Sequence, residues 1–404
     1  MNKLSCISGA CLLVVLALSA PACHNDDDSG GSGGSPATEP PSFNNTVFIM
    51  TSASDGGGDV YVGGDFTTYD GAQAIRIVRL NADSTIDSGF KTGVGFNGSV
   101  LSLVPAGSPG GTNYMGGDFT SYNGVERSRI VRLSADGSLD PSFAIGTGFE
   151  NAVRIITPAA DGAGALYVGG DFTDYNGVKV NRLVRLKADG TVDPAFAIGT
   201  GFDGTVFVVM PATDGSGDVY VGGAFTVYNG APANKLVRLN ADGSRDAGFV
   251  TGTGFDNIVQ TIAPADGGDL YVGGAFNNYD GKAANGLVRL NTNGVINPFL
   301  ATGAGFDNTV FHVVPAGDAS GDLYVAGTFT RYNGVQANQL VRLNQNGTVD
   351  TSFSTGPGFS DTVFRVLPAG DGSGDVYAGG QFVRYQSTPI GRFVRLTSTG
   401  AFIR

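Results

Sequence analysis

The chain has 404 residues and a formal net charge of −12, from 36 acidic against 24 basic side chains. No basic footprint of the kind nucleic acids require appears, so nucleic acid is excluded as a partner. The three cysteines, Cys6, Cys11 and Cys23, and the two histidines, His24 and His312, leave the chain beyond residue 23 with neither a disulfide nor a metal site built from cysteine or histidine clusters. Glycine, at 65 residues, stands far above its usual share of about 7%. It has no collagen period and clusters in turns between apolar runs, the pattern of many short strands.

Residues 1–22 read as a signal peptide. Lys3 lies in a basic start, and the apolar stretch over residues 7–18 is shorter than the roughly 20 residues a bilayer span needs. Two processing readings follow. Ala20-Pro21-Ala22 has the small-x-small form cut by ordinary signal peptidase. Ser19-Ala20-Pro21-Ala22-Cys23 resembles the lipobox of bacterial lipoproteins, with Pro21 as a departure, and that resemblance implies a lipid on Cys23. Residues 23–42 are rich in Asp, Gly, Ser and Pro, a composition that buries no core and behaves as a flexible tether. An exported protein is expected, lipid-anchored at the outer membrane or cell surface, the alternative being a secreted one.

Residues 43–404 are a repeat. Gly-Gly-Asp-Phe occurs at 63–66, 116–119 and 169–172, with variants at 222–225, 273–276, 326–329 and 379–382, so the phenylalanines are spaced by 53, 53, 53, 51, 53 and 53 residues. Within the third unit an apolar strand is expected at 152–157, a second at 165–175, a third at 180–186 and a fourth at 191–198. Asn176-Gly177, a pair that tolerates positive φ, turns the chain between the second and third. Four antiparallel strands per unit of about 53 residues, seven times over, predict an all-β, seven-bladed β-propeller. All 14 tyrosines fall into two sets of seven at fixed positions, and most of the 26 phenylalanines recur likewise. Their expected role is packing between blades, worth about 1.5–3 kcal/mol for each buried side chain. The last unit lacks its Asn-Gly turn, reading Gln386-Ser387, and the junction between the last and first units is expected to be the weakest.

Units of the form Gly-Gly-Asp-Phe-x-x-Tyr-Asn-Gly, Val-Arg-Leu-Asn-Ala-Asp-Gly and Asp-Pro-x-Phe resemble the bacterial delta-60 repeat, a β-propeller repeat of unknown function. The Gly-Gly after a Tyr-Val strand is also similar to kelch blades. The resemblance spans about 360 residues, from 43 to 404. It implies the fold, and little about activity.

Three constellations are candidates for chemistry. An arginine recurs in every unit, as Arg79, Arg132, Arg185, Arg238, Arg289, Arg342 and Arg395; an Asp follows seven or eight residues on in five of them, as Asp87, Asp140, Asp193, Asp246 and Asp350. A structural clamp, one per blade, is the expected role. Asp-Gly-Ser-Gly-Asp turns at 214–218 and 371–375 have carboxylates spaced faintly like a calcium loop without its closing Glu; no cofactor is expected, calcium being the one alternative they suggest. Finally, Glu150, Asp203, Asp256, Asp307 and Asp361 follow the Gly-Phe that opens a unit. There they are expected to ring a channel mouth and to offer a site for a cation or a basic group. On the first strands Arg154, Gln260, His312 and Arg365 break the repeat.

No nucleophile motif is present. The expected function is a surface-tethered, non-enzymatic binding or scaffold module, monomeric, meeting the membrane through its lipid and a protein or glycan ligand through the propeller. The alternative is a propeller hydrolase or carbohydrate-active enzyme using the channel-mouth carboxylates, since two acidic side chains suffice for glycoside cleavage.

Overall fold

A computed structural model describes residues 40–106 and 111–403. Residues 1–39, with the expected signal peptide, Cys23 and most of the expected tether, lie outside the described residues. Residues Glu39–Arg404 form one compact unit. Among the described residues no helix is long and apolar enough to cross a membrane.

The chain is an all-β propeller of repeated blades. Among the described residues there are seven three-stranded antiparallel sheets, each accompanied by a two-stranded hairpin. In the third repeat the inner strand Val153–Pro158 pairs with the middle strand Leu166–Gly170, which pairs with the outer strand Leu183–Leu186. Every residue of the middle strand is buried, as a strand sandwiched between two neighbouring sheets requires. Each inner strand also packs against the inner strand of the next sheet. Val47–Ser52 packs against Val363–Pro368, which closes the ring.

Sequence and structure differ at two places in each unit. The expected strand at 165–175 breaks after Gly170. A Cβ there would lie 2.2 Å from the Ala152 carbonyl oxygen, so the backbones touch and the chain bends at Asp171-Phe172. Phe172 turns inward, and Asp174–Tyr175 pairs with Val178–Lys179 as a separate hairpin. Its turn residues Asn176 and Gly177 both take positive φ, 55° and 78°, as expected of this pair. The expected fourth strand is reduced to an isolated bridge, Leu186 to Val192. Asp193 ends it by accepting the Ala195 amide in a turn. That turn delivers Phe196 onto Tyr167, with ring centroids 5.2 Å apart.

The core lies between the sheets. Gly169 marks the closest approach: a Cβ on it would sit 2.6 Å from Val206 of the next repeat. The first Phe of each unit, the motif Phe and the second Tyr form a trio. In the third unit Phe149 lies 4.3 Å from Phe172 and 4.4 Å from Tyr175. The Tyr175 hydroxyl donates to the Gly190 carbonyl at 2.7 Å, tying down the turn after the outer strand.

The ring closes as its other junctions do. The Phe43 amide donates to Gly391 and the Arg392 guanidinium to the Phe43 carbonyl, both at 3.0 Å, repeating the bonds between Phe96 and the Ile75 and Arg76 pair. Six junctions carry a further bond, from Lys91 to Asp136 in the first and its counterparts up to Ser354 to Thr399. Among the described residues the closing junction has none. A cavity of about 330 Å³ lies there, lined in part by Asp83, Phe393 and Phe402.

Candidate functional site

The recurring arginines sit on the outer strands, directly opposite the first tyrosine set in the ladder, and lie over those rings. The Arg342 guanidinium is 5.5 Å from the centre of Tyr324, within cation–π range. All five Asp residues expected as partners are there: Asp87 at 3.2 Å, Asp140 at 2.7 Å, Asp193 at 3.4 Å, Asp246 at 3.4 Å and Asp350 at 3.0 Å. Further carboxylates come from the turn between inner and middle strands. Arg342 takes Asp318 and, at 2.9 Å, Asp322; Arg395 takes Asp371 and, at 2.9 Å, Asp375. Where Asn297 replaces the trailing Asp, its amide donates to Asp269 at 2.6 Å, the carboxylate that also holds Arg289 at 2.8 Å.

The turns that resemble a calcium loop in spacing thus direct their carboxylates onto an arginine. Among the described residues no group of three His, Cys, Asp or Glu stands close enough to hold a metal ion. The hydroxyl and amide of Ser216 hold Asp214 at about 2, with Arg238 adding to the effect. Ser373 and Arg395 do the same for Asp371.

The acids that open each unit are also hydrogen-bonded. Asp307 accepts the amides of Thr330 and Arg331 at 2.8 and 3.0 Å and the Thr330 hydroxyl at 2.7 Å. Asp203 and Asp256 make the equivalent bonds to residues 226–227 and 277–278, and Glu150 to Thr173 and Asp174. Asn44 and Asn97 close the same turn with an amide oxygen. In the last repeat Ser360 does so, and Asp361 instead caps the Thr362 amide at 2.7 Å. Burial pushes the carboxyls of Glu150, Asp203, Asp256 and Asp307 up, but these bonds outweigh it and each lies below its ordinary value.

A different set faces the axis of the ring. Every inner strand carries a bulge at its second residue, the positions of Phe48, Leu101, Arg154, Phe207, Gln260, Phe311 and Phe364. A bulge leaves the ladder and re-aims its side chain. All seven are half-buried, and Phe364 touches both Phe311 (5.1 Å) and Phe48 (5.6 Å) across neighbouring strands. Arg154 pairs with the motif acid Asp171 at 2.6 Å.

At the next position Ser102 accepts the Ile156 amide of the following strand at 2.9 Å, and His312 accepts that of Val366 through Nδ1 at 3.4 Å. Burial, and then the neighbouring positive charge of Arg365, hold His312 well below its usual range. Composition alone did not reveal the role of Asp65, Asp118 and Asp171. They look like scaffold in the repeated motif, yet each hydrogen-bonds or pairs next to an inner strand, Asp171 with Arg154 and with Thr205 at 2.6 Å. Their absence from the other four units, which carry Ala224, Ala275, Thr328 and Gln381, was the available signal.

A family model described as a domain of unknown function (DUF5122) beta-propeller matches residues 58–90, 114–143, 164–196, 215–249, 268–299 and 319–353. Each match runs from the middle-strand region to the last segment of its unit. No curated protein sequence matches the chain. Among solved structures, the WD40 β-propeller domain of Doa1 is similar with a TM-score of 0.55 at 14% identity, over 87% of this chain and 97% of that one. A chain of the mitotic checkpoint complex scores 0.48 at 13% identity, over 90% of this chain and 98% of that one. YCF48 bound to D1 peptide scores 0.48 at 12% identity, over 84% and 91%. At 14% identity the likeness to the Doa1 domain is one of fold alone, and with the repeated family matches it leads to one conclusion: the chain is a β-propeller repeat protein.

Proposed function

We propose that this protein is a non-catalytic binding module of the bacterial envelope. Its seven sheets act as the seven blades, each completed to four strands by the bridged segment after the outer strand. It is held at the membrane by a lipid on Cys23 and the tether that follows. One observation carries the non-catalytic part. The carboxylates that would have to cleave a glycoside are closing turns. A glycosidase needs one carboxyl held protonated as an acid and a second one free. Glu150, Asp203, Asp256 and Asp307 each accept three hydrogen bonds and lie below the ordinary carboxylate range.

The full chain is expected to hydrolyse no chromogenic glycoside. Turnover that disappears in Glu150→Gln or Asp307→Asn would overturn this reading in favour of the hydrolase. For the anchor, Cys23→Ala is expected to move the protein from the membrane fraction to the soluble one. An unchanged distribution, or a mature chain whose mass shows no acyl groups, removes the lipid from the proposal.

A further inference from the structure

Arg365 is out of place in the repeat. The other inner strands hold Ile49, Ser102, Ile155, Val208, Thr261 and His312 at its position, small or medium side chains that cover the middle-strand glycine or bond to the next strand. The space beside Gly379, opposite Arg365, is filled instead by Val47 and Met50 of the adjoining sheet. The guanidinium makes no hydrogen bond or ion pair among the described residues. Every recurring rim arginine, by contrast, has a carboxylate within 3.4 Å. Arg365 is half-buried by solvent contact, on an inner strand that packs against the inner strands on both sides.

An unpaired cation so placed is costly to a fold unless something pairs with it. Its surroundings indicate the partner. Phe364 precedes it, with Phe311 and Phe48 to either side. His312, on the neighbouring strand, accepts through Nδ1 and so carries its proton on Nε2, leaving a donor without a partner among the described residues. The site therefore offers one positive charge, a planar fork of donors, an imidazole N–H and an aromatic wall.

The geometry points to a binding site in the central passage for an aromatic monocarboxylate, its carboxylate on Arg365 and His312 and its ring against Phe311, Phe364 and Phe48. A guanidinium fork matches a planar carboxylate in two parallel bonds, and a single charge balances a single charge. This inference rests on the binding-module reading and supplies a ligand class for it.

Phenylacetate is the probe, titrated into the full chain and followed by saturation-transfer NMR, with affinity on the order of millimolar expected for so small a ligand. Phenylacetamide, of the same shape without the charge, and inorganic phosphate, charge without the ring, are expected to bind at least about tenfold more weakly. Arg365→Met is expected to weaken phenylacetate by more than about tenfold while the melting temperature stays equal or rises. Phe364→Ala is expected to weaken phenylacetate and leave phosphate unchanged. Absence of phenylacetate binding, equal binding of phenylacetamide, or wild-type affinity in Arg365→Met overturns the site. Phosphate binding as tightly as phenylacetate also overturns it, in favour of a plain anion site. Any of these leaves the non-catalytic reading standing, because that one is tested by turnover.

Discussion

Two arginines of this propeller stand in contrast. On the rim, Arg342 is met by Asp318, Asp322 and Asp350 and lies over Tyr324. At the axis, Arg365 meets no carboxylate among the described residues, and burial alone pushes it down to about 10. An outer-strand arginine held by at least one carboxylate recurs in every repeat, whereas Arg365 occurs once. The same side chain thus acts as a fastener where its partners are built into the unit, and as an open valence where they are not. In a repeat protein the copied positions hold the blade together, and departures from the copy mark where the ring is free to do something else.

The largest test of this contrast is to remove each cation. Arg342→Ala leaves three carboxylates crowded together and is expected to cost about 3 kcal/mol in chemical denaturation. Arg365→Met removes a charge with nothing opposite and is expected to be neutral or stabilising. A comparable loss in both would erase the distinction and make Arg365 another scaffold residue.

The next test is acid. Asp214 and Asp371 are held at about 2, against an ordinary 3.8. Because their folded values are depressed, their contribution is complete above pH about 4 and is lost as pH falls toward about 2. Denaturation midpoints are expected to drop over that window. The drop should be shallower in Asp214→Asn with Asp371→Asn, and absent between neutral pH and pH about 5. Solvent exposure of these groups keeps the effect modest.

The smallest test restores the copy where its loss serves no ligand. Gln386 adopts φ 53° in the hairpin turn of the last repeat, a left-handed conformation that Asn tolerates better. The double change Gln386→Asn with Ser387→Gly is expected to raise stability by about 0.5 kcal/mol, readable as a small rise in melting temperature. A decrease would mean that the bond from Gln386 to the Thr355 carbonyl outweighs turn geometry.

Much of this architecture was open to reading in the chain itself, because its causes are local and periodic. Asn176-Gly177 turns the chain through its own φ preferences, Tyr175 and Phe172 recur at blade spacing, and Arg185 precedes Asp193 by one hairpin, so their pairing follows from strand geometry. What tertiary structure decided depends on contacts that periodicity does not encode. Gly170 breaks a strand that reads as continuous because the Ala152 carbonyl occupies the space of a Cβ. The Asp pair of the calcium-like turn closes on an arginine brought 20 and 24 residues along the chain to the same edge. Glu150 and its counterparts, which read as a free acidic ring, meet backbone amides that face them once the motif bends. Whether Arg365 is paired could be known only when three neighbouring strands had been placed around it: a charge is made costly or useful by everything within a few ångströms, and at the axis of a ring those groups come from repeats far apart in sequence.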